Sequence, residues 1–142
     1  MKVFGKGHVP SDGYAVVKSE AEWRAMLSPE QFRVMFEHAT ERPGTSPLLG
    51  EKRSGTFVCA ACGQPAYETA TKFESGTGWP SFYAPIDGAT ATDTDRSFFM
   101  TRTEVHCAKC GAHQGHVFED GPAPTGLRYC INGLALKFEP KE

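Results

Sequence analysis

Apolar residues along this chain follow one texture before about Gly55 and another after it. Before it, they gather in two groups: Trp23, Met26 and Leu27, then Phe32, Val34, Met35 and Phe36. Each group follows a helix-start signal. Ser19-Glu20-Ala21-Glu22 and Ser28-Pro29-Glu30-Gln31 each place a serine three residues ahead of Glu or Gln. That pair can satisfy orphan N–H groups of a first turn reciprocally. Pro29 falls at the first helical position, where its missing N–H is harmless. Two short helices are predicted here, preceded by a short strand at Tyr14-Ala15-Val16-Val17. A loop is predicted from Thr40 to Pro47 by its Pro, Gly, Thr and Ser content.

After Gly55, short β-type runs alternate with Gly and Pro turns. They are Thr56-Phe57-Val58, Ser97 to Met100, Arg102 to His106, His116-Val117-Phe118, Leu127 to Ile131 and Leu134 to Phe138. This is the pattern of an antiparallel β domain. The last two runs flank Asn132-Gly133, a hairpin signal. Residues 119–126, rich in Gly and Pro, read as a loop. A chain of 142 residues suits one domain. We expect a single unit over 1–142, with an N-terminal extension and helices (1–50) packed on a β core (51–139).

Charge narrows the function classes. The net charge is −2 and no Lys/Arg block appears, which argues against a nucleic-acid partner. No apolar run approaches the roughly 20 residues of a membrane span. Met1 to His8 lacks the apolar core of a signal peptide. The expected compartment is the cytoplasm, where paired cysteines more often bind metal or do chemistry than form disulfides.

The chain has five cysteines, and four form two matching pairs: Cys59-Ala60-Ala61-Cys62 and Cys107-Ala108-Lys109-Cys110. Each pair precedes a glycine, Gly63 and Gly111, which can adopt the positive φ that closes a metal knuckle. Four thiolates make a closed tetrahedral shell suited to one structural Zn²⁺. Two rival readings exist: vicinal redox dithiols, and a local set of Cys107, Cys110, His113 and His116.

Cys130 stands apart. Strand alternation puts Arg128, Cys130 and Asn132 on one face and Leu127, Tyr129 and Ile131 on the other. A thiol beside a guanidinium is a candidate nucleophile, and we expect it to be more acidic than an ordinary thiol. A buried structural cysteine is the bland alternative, and Asn132 also reads as a plain turn residue. His113 and His116 could bind an oxygen or deliver a proton, or be satisfied core or surface histidines. Trp79, in a glycine-rich loop ahead of Pro80, offers either an apolar wall or a core side chain.

These stretches together resemble the methionine-R-sulfoxide reductase B family over about residues 29–138. The resemblance rests on Glu41-Arg42-Pro43-Gly44, both cysteine pairs, Gly78-Trp79-Pro80-Ser81-Phe82 and Arg102-Thr103-Glu104-Val105. It continues through His113-x-x-His116-Val117-Phe118, Asp120-Gly121-Pro122-x-Pro124-Thr125-Gly126 and Arg128-Tyr129-Cys130-Ile131-Asn132. It implies a mainly β fold of two antiparallel sheets (a β-tent) with N-terminal helices and a four-cysteine zinc site. It implies reduction of the R epimer of methionine sulfoxide in proteins and peptides, with Cys130 as nucleophile. His113 and His116 would bind and help protonate the sulfoxide oxygen. Arg128 would favour the thiolate, Asn132 would shape the polar side, and Trp79 and Phe118 would contact substrate. Thioredoxin or another thiol would be the reductant. Many relatives carry a resolving cysteine where this chain has Thr77; Gln114 and Gly133 also depart from the common Leu and Ser. The competing reading is a non-catalytic zinc-ribbon-like binding module, in which Cys130 would be inert.

Overall fold

The computed structural model describes residues 9–141. The leader reading, made on Met1 to His8, falls outside them. Helices α1 (Glu20–Met26) and α2 (Pro29–Glu37) form with both capping boxes in place. The Ser19 hydroxyl accepts from Glu22 N at 3.2 Å, while the Glu22 carboxylate accepts from Ser19 N at 2.8 Å. Ser28 and Gln31 repeat this at 3.1 and 2.9 Å. Helices of seven and nine residues are too short to persist alone. They are held by burying Trp23, Phe32, Met35 and Phe36, which pack with Cys59, Ala60, Cys107, Cys110 and Ala112.

Nine strands follow. They are β1 (Gly55–Cys59), β2 (Pro65–Glu68), β3 (Lys72–Phe73), β4 (Ser81–Phe82), β5 (Thr90–Asp95), β6 (Arg102–Cys107), β7 (His113–Phe118), β8 (Arg128–Ile131) and β9 (Leu136–Pro140). They make two antiparallel sheets, one ordered β2-β1-β9 and one ordered β3-β4-β8-β7-β6-β5. The fold is therefore mainly β. Phe57, Tyr67 and Leu136 from the small sheet meet Phe82, Val105 and Ile131 from the large one. Tyr67 and Phe82 stack with ring centroids 4.5 Å apart. Each such side chain contributes about 1.5–3 kcal/mol by leaving water. No helix of the described residues is long and apolar enough to cross a membrane.

Three expectations are corrected. Tyr14 to Val17 forms no strand; Val16 N donates to Lys109 O instead, at 3.0 Å. Ser97–Phe99 is a 3-10 turn, started by Asp95 Oδ1 accepting from Ser97 N at 3.0 Å. Asn132-Gly133 is not a hairpin. Both edges of β8 are already taken, by β4 and β7, so the chain crosses to the small sheet and pairs β9 with β1. The crossing is a 3-10 turn, Gly133–Ala135, entered with Asn132 at φ −67°, whereas a type I′ hairpin needs positive φ there. Strand β5 carries no sequence signal, being a mostly exposed edge with no apolar run.

Candidate active site

The four paired cysteines come together. Their Sγ atoms all lie within 4.8 Å of one another, with Cys59 to Cys110 at 3.8 Å and Cys62 to Cys107 at 3.6 Å. Metal–sulfur bonds of about 2.3 Å in a tetrahedron require S···S edges of about 3.8 Å. These separations fit that shell and are far too long for disulfides. Gly63 and Gly111 take φ of 82° and 80°, and their N–H groups turn back to Cys59 O and Cys107 O. Four thiols so placed could hold one metal ion. Neither His113 nor His116 belongs to this cluster, which removes the local Cys/His alternative.

Cys130 lies elsewhere, on β8. It opens into a cavity of about 240 Å³ lined by Trp79, His116, Phe118, Arg128 and Asn132. That is smaller than the roughly 300–1,000 Å³ of ordinary ligand pockets, a size for one side chain. Register explains the grouping. Cys130 on β8 stands directly opposite His116 on β7, so both side chains share a face. In a regular strand His113 and His116, three apart, would point to opposite faces. A bulge between β6 and β7 leaves Gln114 as an extra residue, with Glu104 opposite His116 and His106 opposite His113. All four side chains then share one face. Gln114 turns the other way, where its Oε1 accepts from Tyr67 OH at 2.9 Å.

A clasp fixes two walls of the cavity. The buried carboxylate of Glu41 accepts from Gly133 N at 2.8 Å and Leu134 N at 2.9 Å. Glu41 O accepts from Trp79 Nε1 at 3.0 Å, and Glu41 N donates to Asn132 Oδ1 at 2.9 Å. Asn132 Nδ2 then donates to Gln114 O at 2.9 Å. The indole N–H is thus used by backbone, and the amide is locked. Burial raises the Glu41 carboxyl above its ordinary value, against the lowering effect of those two backbone donors.

Charge in the cavity is paired. His116 Nε2 donates to Asp95 Oδ2 at 2.8 Å, and Arg102 reaches the same oxygen at 3.3 Å. Burial opposes ionisation of Asp95, but hydrogen bonds from His116 and Ser97 outweigh it and bring the carboxyl down to about 2. Burial lowers His116, with Asp95 pulling the other way. Arg128 grips Asp120 through two nitrogens, at 2.9 and 3.1 Å, and lies 4.6 Å over the Phe118 ring. The expected acidity of Cys130 is reversed. Burial raises the thiol, and the Thr77 hydroxyl and Arg128 only partly offset it.

The SelR domain matches residues 27–140. The chain belongs to this family. It is 54% identical over 129 residues to a peptide methionine sulfoxide reductase MsrB of Methanosarcina barkeri, covering 90% of this chain and 91% of that one. It is 56% identical over 126 residues to the protein of the same description from Pseudomonas putida, covering 88% and 95%. For that of Leptospira interrogans the identity is 52% over 127 residues, covering 89% and 97%.

In this SelR chain, the predicted residues Cys130, His116, Arg128, Asn132, Trp79 and Phe118 share the cavity. His113 does not line it; it sits behind, 2% exposed, with its ring 5.5 Å from that of His116. Thr40, Thr77, Arg102 and Gly115 also line it, and the sequence alone did not mark them as contacts. Asp95 had no signal at all, being one acid in a Thr- and Asp-rich run.

Proposed function

We propose that this protein reduces the R epimer of methionine sulfoxide in proteins and peptides to methionine, by thiol chemistry at Cys130. The observation that carries it is one thiol outside the metal cluster, opening into a one-side-chain cavity beside a carboxylate-held histidine. Membership of the SelR family and relatives described as peptide methionine sulfoxide reductases support the same reaction.

The sulfoxide's methyl group packs on Trp79 and Phe118, and its oxygen faces His116. The Cys130 thiolate attacks sulfur, helped by Arg128 and the Thr77 hydroxyl. The thiol's proton passes to His116 and from it to the sulfoxide oxygen, with Asp95 steadying the transient imidazolium. The S–O oxygen passes to Cys130, methionine leaves, and a Cys130 sulfenic acid remains. Burial keeps the resting thiol protonated, so the thiolate forms chiefly once the substrate's polar groups occupy the cavity.

Return to the thiol needs two electrons. An external thiol attacks the sulfenic acid, releasing water and leaving a mixed disulfide; a second thiol releases Cys130 and carries away the disulfide. Thioredoxin or another dithiol serves. No cysteine of this chain is placed to resolve it, since the other four are grouped in the metal site and Thr77 offers only a hydroxyl. The ion of that site is Zn²⁺, one per chain, held by Cys59, Cys62, Cys107 and Cys110. It supplies folding energy and no chemistry. Residues 1–142 act as one unit in the cytoplasm.

The test is incubation with dithiothreitol and, separately, the R and S epimers of dabsylated methionine sulfoxide. Only the R epimer should be consumed. Consumption of the S epimer alone, or of neither, would reject the assignment.

A further inference from the structure

Glu104 of β6 is fully buried, yet no step above uses it. A buried carboxylate costs several kcal/mol unless it is paired and hydrogen-bonded. Here each oxygen has a histidine. Oε2 lies 2.8 Å from His113 Nδ1, and Oε1 lies 3.0 Å from His106 Nδ1. A third, His38, sits at the left-handed C-cap of α2, with Nε2 3.8 Å from Oε2. Its ring packs 4.6 Å from that of His113.

The separations are those of N–H···O hydrogen bonds. An ionised carboxylate only accepts. His113 and His106 therefore both donate to it through Nδ1. Two donors on two oxygens also stop the carboxylate from rotating away from His113. His113 in turn stands against His116, centroids 5.5 Å apart and planes at 70°. His116 is the cavity histidine opposite Cys130.

We propose that Glu104 is a positioning residue for the reaction at Cys130: through Nδ1 it sets the tautomer and plane of His113, and through that ring the stance of His116 in the cavity. This rests on the reductase reading for its kinetic consequence, but not for its structural one. Packing alone would be met equally well by glutamine, which has the same shape. Glutamine, however, has one accepting oxygen and one donating nitrogen, so only one of His113 and His106 can keep its proton on Nδ1.

The experiment uses the reduced, zinc-loaded full chain with ¹⁵N-labelled histidines. In the wild type, long-range ¹H–¹⁵N spectra should show His113 and His106 as Nδ1–H tautomers. Glu104→Gln offers one acceptor to two rings, so His113 or His106 should move to the Nε2–H tautomer. It should lower kcat on dabsylated methionine R-sulfoxide by roughly 10- to 100-fold, as small misplacements near a reacting centre do. KM and zinc content should stay near wild type. Glu104→Asp, which keeps the carboxylate, should retain the Nδ1–H signature and recover much of kcat. A wild-type His113 found as Nε2–H would overturn the proposal whether or not any variant folds. So would a folded Glu104→Gln that moves His113 to Nε2–H and keeps wild-type kcat. If the wild type turned over neither epimer, the reductase reading would fail while the tautomer spectra still decided this one.

Discussion

The same atom type stands in two opposite surroundings in this chain. Four cysteines face one another at 3.6–3.8 Å across their closest cross-pair contacts, packed with the aromatic side chains of the helices. Cys130 faces an imidazole, a guanidinium, an amide and an indole around an open cavity. The first site has its ligands and no room. The second has room and lacks a second thiol. The metal site is written in two five-residue words, each closing on its own glycine. The cavity is assembled from five separate strands and loops, by register and by a clasp from Glu41. A locally coded site should fail as a unit with the fold; a register-coded one should fail in function while the fold survives.

The largest effect should come from breaking the metal shell. Cys59→Ser leaves three thiolates beside an apolar cluster, and should give protein that loses zinc and unfolds or aggregates, since binding and folding are coupled. Elemental analysis with thermal unfolding checks it. A folded, metal-free Cys59→Ser protein would erase the proposed contrast.

Cys130→Ser should abolish reduction of the R sulfoxide while leaving zinc content unchanged and the melting temperature within a degree or two. The dabsylated R-sulfoxide assay reads the first, and elemental analysis with thermal unfolding the rest. Wild-type protein given one equivalent of sulfoxide and no reductant should stop at a Cys130 sulfenic acid, seen as a dimedone adduct by intact mass with zinc retained. A disulfide from Cys130 to a knuckle cysteine, with zinc released, would show that the two sites communicate after all.

Glu41→Gln tests the clasp. One of its two oxygens becomes an NH₂ facing a backbone donor, which leaves a buried N–H unpaired at a cost of about 1–3 kcal/mol. The melting temperature should fall by several degrees, and kcat should fall with it because Trp79 and Asn132 lose their anchor. Unchanged kcat in a destabilised protein would limit the clasp to stability.

The smallest effect concerns ionisation. Because burial raises the Cys130 thiol, the thiolate fraction stays low through neutral pH. Alkylation by iodoacetamide should inflect above the roughly 8.5 of an ordinary thiol. Arg128 favours the thiolate, so Arg128→Ala should move that inflection further up. An inflection below the ordinary value would mean that Arg128 outweighs burial.

Much of the molecule was legible locally. Both capping boxes, the Cys-x-x-Cys-Gly knuckles and the shared face of Arg128, Cys130 and Asn132 follow from relations within a few residues. Other parts misled for a stated reason. Asn132-Gly133 has hairpin residues, yet β8 had no free edge for β9 to join. The spacing of His113 and His116 implies opposite faces until the bulge at Gln114 puts them on one.

The sequence alone pointed to the family and to candidates for chemistry, four paired cysteines and a lone thiol in polar company. These are statements about composition and short spacing, which survive without knowledge of partners. Only the tertiary structure decided who touches whom. Asp95 holds His116 across 21 positions, Glu41 holds Asn132 across 91, and Glu104 sits beneath a histidine that was expected to face the substrate. Burial, not the neighbouring arginine, decides the resting state of the thiol, because desolvation depends on everything packed around it and no short stretch of sequence contains that sum.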